Sequence, residues 1–170
     1  MKLSKLLAGL AVAASLISGA AQAEYVVNGT FSDPSLYSQT GWSVSSNAHF
    51  FSGNAYHEGN VGGSGVIQQL VSGGNGQLTL SYDFGANSGY QETYWNGVLL
   101  ATIGVSPITY YQFTVMGTGS DLLQFFGRND PSYNALSNVS VIPEPDMLLL
   151  MATALGLVGV ASRRKSKQAA

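Results

Sequence analysis

Apolar and polar side chains alternate along most of the middle of this chain, with a period of two residues. The alternation is clearest at 78–84, 111–115, 123–125 and 139–141, and 66–71 and 91–95 are further candidate strands. Because a period of two places alternate side chains on opposite faces of a strand, one face of each is expected to be buried. No helical spacing of apolar residues occurs between 24 and 142. The pattern predicts an all-β fold of about eight short strands, an antiparallel β-sandwich of the jelly-roll type.

Glycine-rich segments separate these candidate strands. Asn96-Gly97 lies between two apolar runs and is typical of a type I′ hairpin turn, because both residues tolerate a positive φ. Three further glycine-rich runs, at 62–65, 73–76 and 117–120, are interpreted as turns or short loops. The sequence therefore predicts that strands begin and end at these glycines.

The amino-terminal segment has the features of a secretory signal peptide. Two lysines precede an apolar run at 6–17, and Ala21 and Ala23 form an A-x-A cleavage site. We expect a helical signal peptide over 1–23 and a mature chain that begins at Glu24. This predicts export through the inner membrane.

The carboxyl-terminal segment has the features of a membrane-sorting tail. Pro143, Glu144 and Pro145 precede an apolar run at 147–161. A basic stop follows it, formed by Arg163, Arg164 and Lys165. A helix of this length spans about 22 Å, and the basic cluster is expected to stay in the cytoplasm. We predict a transmembrane helix at 147–161 within a tail of 143–167, followed by a short extension at 168–170.

This tail resembles the PEP-CTERM sorting signal of Gram-negative bacteria. The resemblance implies that an exosortase acts at or near the tripeptide Pro143-Glu144-Pro145 and releases or re-anchors the ectodomain. The chain would then be anchored in the inner membrane before processing and reach the cell surface or extracellular matrix afterwards. A plain single-span anchor is the alternative.

The ectodomain, 24–142, carries a second resemblance. Val27-Asn28-Gly29-Thr30-Phe31 with Gly41-Trp42, and Leu136-Ser137-Asn138-Val139-Ser140-Val141, look like the opening and closing strands of jelly-roll domains related to galactose-binding-like and carbohydrate-binding modules. The segments 94–97 and 126–131 are similar to PEP-CTERM ectodomains of this type. The resemblance implies a jelly roll and a surface role.

Charge is unevenly distributed along the chain. Between 24 and 142 there are seven acidic residues and one basic residue, Arg128, so this region carries a net charge of −6. A domain without lysine and with one arginine cannot bind nucleic acid through phosphate contacts. The chain has no cysteine, which excludes disulfides, thiolate metal sites and cysteine nucleophiles.

The family resemblance also implies a structural calcium ion, which this sequence does not favour. Ser32 and Ser137 stand where such modules place acidic ligands. Calcium prefers several oxygen ligands that include carboxylates. Asn138 with backbone carbonyls, and Asp33, are the remaining ligand candidates. We therefore expect no cofactor and no metal.

Catalytic constellations are not evident in the sequence. Glycoside hydrolysis needs two facing carboxylates, and Asp83 with Glu92 is the pair nearest a common hairpin. We interpret Asp83 instead as an outward-facing strand residue and Glu92 as flanking a turn. His49 and His57, close to Asp33 or Glu58 along the chain, are a weaker metal alternative. These patterns predict a protein that is not an enzyme.

Aromatic and polar residues near the end of the domain offer a glycan-binding alternative. Sugar-binding sandwiches use exposed aromatic faces for sugar rings and polar side chains for hydroxyls. The candidate residues are Tyr90, Tyr94, Arg128, Asn129, Asp130 and Tyr133. Trp42 and Trp95 are expected in the core, since they bring a large buried area.

The sequence thus predicts an exported, non-enzymatic protein of the cell surface or extracellular matrix. Its expected partners are an exosortase, the membrane through the carboxyl-terminal segment, and exopolysaccharide. The alternative is a lectin-like module with a specific sugar site.

Overall fold

A computed structural model describes residues 24–45, 47–58, 64–129 and 132–144, with the side chain of Tyr133 excepted. The predicted signal peptide, Pro145, the apolar run with its basic stop, and Asp130 lie outside the described residues. Within the described part of the chain, no helix has the length and apolarity needed to cross a bilayer.

Eight strands form among these residues, and every pairing between them is antiparallel. They are β1 (Ser43–Val44), β2 (Ala48–Phe51), β3 (Asn54–Glu58), β4 (Gly65–Ala86), β5 (Tyr90–Trp95), β6 (Val98–Ile103), β7 (Ser106–Arg128) and β8 (Tyr133–Pro143). The alternating segments of the sequence all fall inside these strands, which confirms the all-β prediction.

The strands form one continuous ladder that is folded into two layers. Layer A contains β2, β3, β8, the 76–86 half of β4 and the 106–118 half of β7. Layer B contains β1, the 65–72 half of β4, the 120–128 half of β7, β5 and β6. Two long strands therefore belong to both layers of the sandwich.

Alternate side chains from both layers meet in a single apolar core. Tyr82 of layer A packs edge-on against Phe125 of layer B with ring centroids 5.2 Å apart. Trp42 and Trp95 are only 8% and 5% exposed, which confirms their predicted place in the core. Both indoles donate to backbone carbonyls, Trp42 Nε1 to that of Val27 at 2.9 Å and Trp95 Nε1 to that of Met116 at 2.8 Å.

The glycine runs at 73–76 and 117–120 bend long strands rather than ending them, so the prediction of turns there was wrong. Gly73, Gly76 and Gly119 have φ values of 104°, 84° and 94°. The β4–β7 ladder shifts register after Ser72 and continues through Asn75 opposite Thr118. Positive φ suits a bulge as well as a turn, and here it carries each strand from one layer into the other.

The predicted hairpin at Asn96-Gly97 is confirmed. The two residues join β5 to β6 with φ values of 50° and 77°. Asn96 also reaches the bend in β7, where its Nδ2 donates to Asp121 Oδ1 at 2.7 Å. The same carboxylate accepts the Thr118 backbone N–H at 2.9 Å. Asp121 thus links the hairpin turn to the bend.

Candidate functional site

The outer face of layer B gathers several predicted site residues. On β5, Tyr90, Glu92 and Tyr94 point away from the core, and on β7 the residues opposite them do the same. The cross-strand pairs are Tyr90 with Arg128, Glu92 with Phe126, and Tyr94 with Gln124. We call these six residues the tyrosine face. Tyr90 and Tyr94 are separated by about 13 Å along the strand, which leaves room for an extended saccharide.

Contacts within the tyrosine face hold the Tyr94 ring in place. The ring of Tyr94 meets that of Phe126 edge-on, with centroids 5.2 Å apart at 76°. The Tyr94 hydroxyl donates to Glu92 Oε2 at 2.9 Å. This hydrogen bond, with partial burial and the negative charge of Glu92, raises the pKa of Tyr94 above its ordinary value. The ring is therefore oriented before any ligand arrives.

Polar groups border these rings. Gln124 Nε2 donates to Gln68 Oε1 on β4 at 2.8 Å, which extends the polar surface to a third strand. The Tyr90 hydroxyl lies 3.3 Å from Ser64 Oγ. Arg128 is exposed at the end of β7 and is the positive group of this face. Amide, hydroxyl and guanidinium groups beside aromatic rings can satisfy both the hydroxyls and the apolar faces of a sugar.

Asn129 lies apart from the tyrosine face, because it is fully buried. Its Oδ1 accepts a hydrogen bond from Ser88 Oγ, so it anchors the loop before β5. Gly89 permits this approach, since a Cβ there would meet the Arg128 carbonyl. Tyr133 begins β8, where its backbone pairs with Glu58 of β3. Of the six predicted glycan residues, the structure therefore brings together Tyr90, Tyr94 and Arg128.

The two candidate catalytic carboxylates lie on opposite outer faces of the sandwich. Asp83 faces outward from layer A, as the sequence predicts, and accepts a hydrogen bond from Asn138 Nδ2 at 2.7 Å. Glu92 lies in the middle of β5 on layer B, so its predicted place beside a turn was wrong. Two carboxylates separated by the core cannot flank one glycosidic bond.

The two histidines are likewise kept apart by strand geometry. His49 lies on β2 with its Nδ1 2.7 Å from Glu58 Oε1. His57 points into the core, where its backbone N–H donates to Asn134 Oδ1 at 2.9 Å. Within the described ranges, no group of three or more histidine, cysteine, aspartate or glutamate side chains could hold a metal ion.

The loop that would carry the calcium ion is filled by hydrogen-bond donors. Thr40 N–H donates to Asp33 Oδ2 at 2.6 Å, and Asn28 Nδ2 donates to the same oxygen at 3.1 Å. Gln39 is buried, and its Nε2 donates to the carbonyls of Asp33 and Ser35 at 2.7 Å and 3.0 Å. A cation would have to displace these donors to reach the oxygens of Asp33 and Ser35, so Asp33 and its loop do not fit calcium.

Sequence reasoning missed four residues of this surface. They are Gln68, Glu92, Gln124 and Phe126. A period of two along β5 puts Glu92 on the same face as Tyr94, and along β7 it puts Gln124 and Phe126 on the same face as Arg128. The missing information was the register between the strands, which a single sequence does not contain.

No protein-family model and no curated protein matches this sequence. Solved structures do match its fold. The K3 cleaved adhesin domain of Lys-gingipain from Porphyromonas gingivalis W83 matches with a TM-score of 0.52 and 14% identity, covering 71% of this chain and 98% of that domain. A CBM4 structure matches with a TM-score of 0.51 and 15% identity, covering 70% and 99%.

A third matched structure comes from a longer chain, the CBM22-1–GH10 part of xylanase 10B from Clostridium thermocellum, solved in complex with xylohexaose. Its TM-score is 0.51 at 9% identity, covering 74% of this chain and 29% of that one. Two other matched chains are also much longer, and this chain covers 21% and 25% of them. At these identities the similarity establishes a shared fold. The domain is an antiparallel jelly-roll β-sandwich of the kind found in carbohydrate-binding modules.

Proposed function

We propose that this domain binds a neutral polysaccharide on the tyrosine face. The observation that carries the proposal is the register of β5 and β7, which brings Tyr90, Tyr94 and Arg128 onto one outer surface. The rings offer apolar surface to sugar rings, and the polar groups between them offer hydrogen bonds to hydroxyls. The fold shared with carbohydrate-binding modules supports this function without identifying the sugar.

Charge narrows the class of polysaccharide. The region 24–142 has a net charge of −6, and the tyrosine face carries one cation, Arg128, and one carboxylate, Glu92. A strongly acidic polysaccharide would be repelled by the field of the whole domain. The proposed ligand is therefore a neutral chain such as a xylan or glucan, and the role is non-catalytic retention on exopolysaccharide.

Affinity electrophoresis of the mature protein in gels that contain xylan or a soluble β-glucan tests this function. We expect retention of the wild type, and a loss of about tenfold in affinity for Tyr94→Ala and for Arg128→Ala. Tyr110→Ala is the matched control, because Tyr110 is 59% exposed on layer A. Equal retention of all three variants, or no retention of the wild type on any neutral polysaccharide, contradicts the proposal. Circular dichroism confirms that each variant is folded.

The terminal segments support a second element of the proposal, which concerns location. Signal-peptide features over 1–23 and the PEP-CTERM-like tail over 143–167 favour export, temporary anchoring in the inner membrane, and processing by an exosortase. The released domain would then act at the cell surface or in the extracellular matrix. Mass spectrometry of the exported protein tests this: we expect a first residue of Glu24 and loss of 147–161. A product that retains the apolar run contradicts it.

A further inference from the structure

The last strand of the sandwich continues into the tripeptide that the sequence assigns to the tail. Thr79 pairs with Ile142, and Leu78 pairs with Pro143, in the β4–β8 ladder. One residue later, the backbone N–H of Glu144 donates to the Gln77 carbonyl at 3.1 Å. The peptide bond between Pro143 and Glu144 is therefore part of the folded ladder.

The side chain of Glu144 is also held by the sandwich. Its Oε1 accepts a hydrogen bond from Thr114 Oγ1 at 2.9 Å and lies 3.3 Å from Thr79 Oγ1, which also donates to it. Thr79 and Thr114 are cross-strand partners on β4 and β7. The carboxylate thus reaches from the end of β8 across β4 towards β7. Hydrogen bonds to a charged acceptor are stronger than those between neutral groups.

These contacts restrict where a protease can cut. A protease binds its substrate as an unpaired segment, so bonds inside a ladder become cleavable only after local unfolding. A cut before Glu144 requires release of its backbone bond to Gln77 and of its two threonine contacts.

We propose that processing of the tail takes place on the carboxyl-terminal side of Glu144, and that the contacts of Glu144 with Thr79 and Thr114 set this limit. The inference rests on the sorting function proposed above. The cut breaks one amide bond: water, or the amine of an acceptor, bonds to the carbonyl carbon on the domain side. The departing nitrogen takes a proton and becomes the amino terminus of the released tail. The mature domain accordingly keeps Glu144.

Two measurements on the full chain test this limit. The first is the intact mass of the product exported by cells that contain the processing enzyme. The second is the mass of the core fragment that proteinase K leaves from the folded, purified full chain. We expect both products to end at Glu144 or later. A product that ends at Pro143 or earlier in either measurement overturns the inference.

The proteinase K digest separates this inference from the sorting proposal. If the exported protein keeps its apolar run, sorting by cleavage fails. The core fragment still reports whether the fold protects the chain as far as Glu144, and a fragment that ends at Glu144 or later supports the limit.

Variants at the two threonines leave the tripeptide itself unchanged. In the double variant Thr79→Val with Thr114→Val, the side chains keep their shape but lose both hydroxyl donors. We expect about tenfold more product that ends before Glu144. Thr102→Val is the matched control, because Thr102 is exposed on β6 of layer B, and its product should equal that of the wild type. An unchanged carboxyl terminus in the double variant shows that these contacts do not set the limit.

Discussion

The two sides of β5 use the same hydrogen-bond chemistry in different surroundings. On the inner side, the hydroxyl of Tyr82 lies 2.6 Å from Thr93 Oγ1, and both residues are fully buried. On the outer side, the hydroxyl of Tyr94 donates to Glu92 at 2.9 Å. Burial raises the pKa of Tyr82 to about 12, whereas the pKa of Tyr94 is raised chiefly by its hydrogen bond to Glu92.

This difference separates stability from recognition. Inside the sandwich, loss of one partner leaves a buried polar group without a hydrogen bond, which costs about 1–3 kcal/mol. On the outer side, water can replace the lost partner, so the bond orients a ring without stabilising the fold appreciably. Substitutions inside should therefore change unfolding, and substitutions outside should change binding.

His57 is expected to give the largest effect on the inner side. Burial lowers its pKa to about 4, against the opposing influence of hydrogen bonds to Phe125 and Asn134. The imidazole of His57 binds a proton more tightly in the unfolded chain than in the folded one. The free energy of unfolding is therefore highest above about pH 6.5 and falls as the pH drops towards 4. The total loss is about 3 kcal/mol, of which about 2 kcal/mol falls between pH 6.5 and 5. Urea unfolding at pH 7, 6 and 5 measures it.

The other histidine provides the control for this experiment. His49→Gln leaves His57 and its buried surroundings in place, so stability should still fall between pH 7 and 5. A wild-type protein whose unfolding free energy does not change between pH 7 and 5 contradicts the buried, neutral state of His57. Loss of the dependence in His49→Gln contradicts it equally.

Tyr82→Phe is expected to give the next largest effect. The change removes one hydroxyl and leaves Thr93 Oγ1 buried without that partner. We expect the free energy of unfolding to fall by about 1–2 kcal/mol. Tyr110→Phe removes an exposed hydroxyl instead and should stay within about 0.5 kcal/mol of the wild type. An equal loss of unfolding free energy in the two variants would mean that buried and exposed tyrosine hydroxyls contribute alike to stability.

Glu92→Gln should give the smallest effect on stability and a clear effect on the tyrosine face. The amide can still accept the Tyr94 hydrogen bond, but the negative charge is lost, so the pKa of Tyr94 should fall towards its ordinary value. NMR titration of the tyrosine ring carbons measures this change. Asp83→Asn is the matched control, because it removes the same charge from layer A. A similar shift in both variants would mean that Glu92 has no local influence on Tyr94.

Local patterns predicted much of this fold. The alternation at 78–84 and 123–125 located core strands, and Asn96-Gly97 located a hairpin, because each signal depends on neighbouring residues only. The glycine runs misled, since a positive φ at Gly73 fits either a turn or a bend. The pairing of β4 with β7 makes these glycines bends within long strands and not turns. This pairing joins segments that are distant in sequence.

The site was predicted in part for the same reason. Chemistry alone selected Tyr90, Tyr94 and Arg128, and the structure places them together. Alternation along β7 already implied that Asn129 faces inward if Arg128 faces outward. The separation of Asp83 from Glu92 required the layer assignment of both strands. The signal peptide and sorting tail stay predictions.

The passage of β4 and β7 through both layers has a consequence for resistance to proteases. Among the described strands, no plane divides the sandwich into halves that could separate while each kept its own strands. Unfolding of one layer therefore disrupts strands that the other layer needs, so the domain should unfold in a single thermal transition. This chain has no disulfides, but a domain that melts in one step offers a protease few partly open forms to attack.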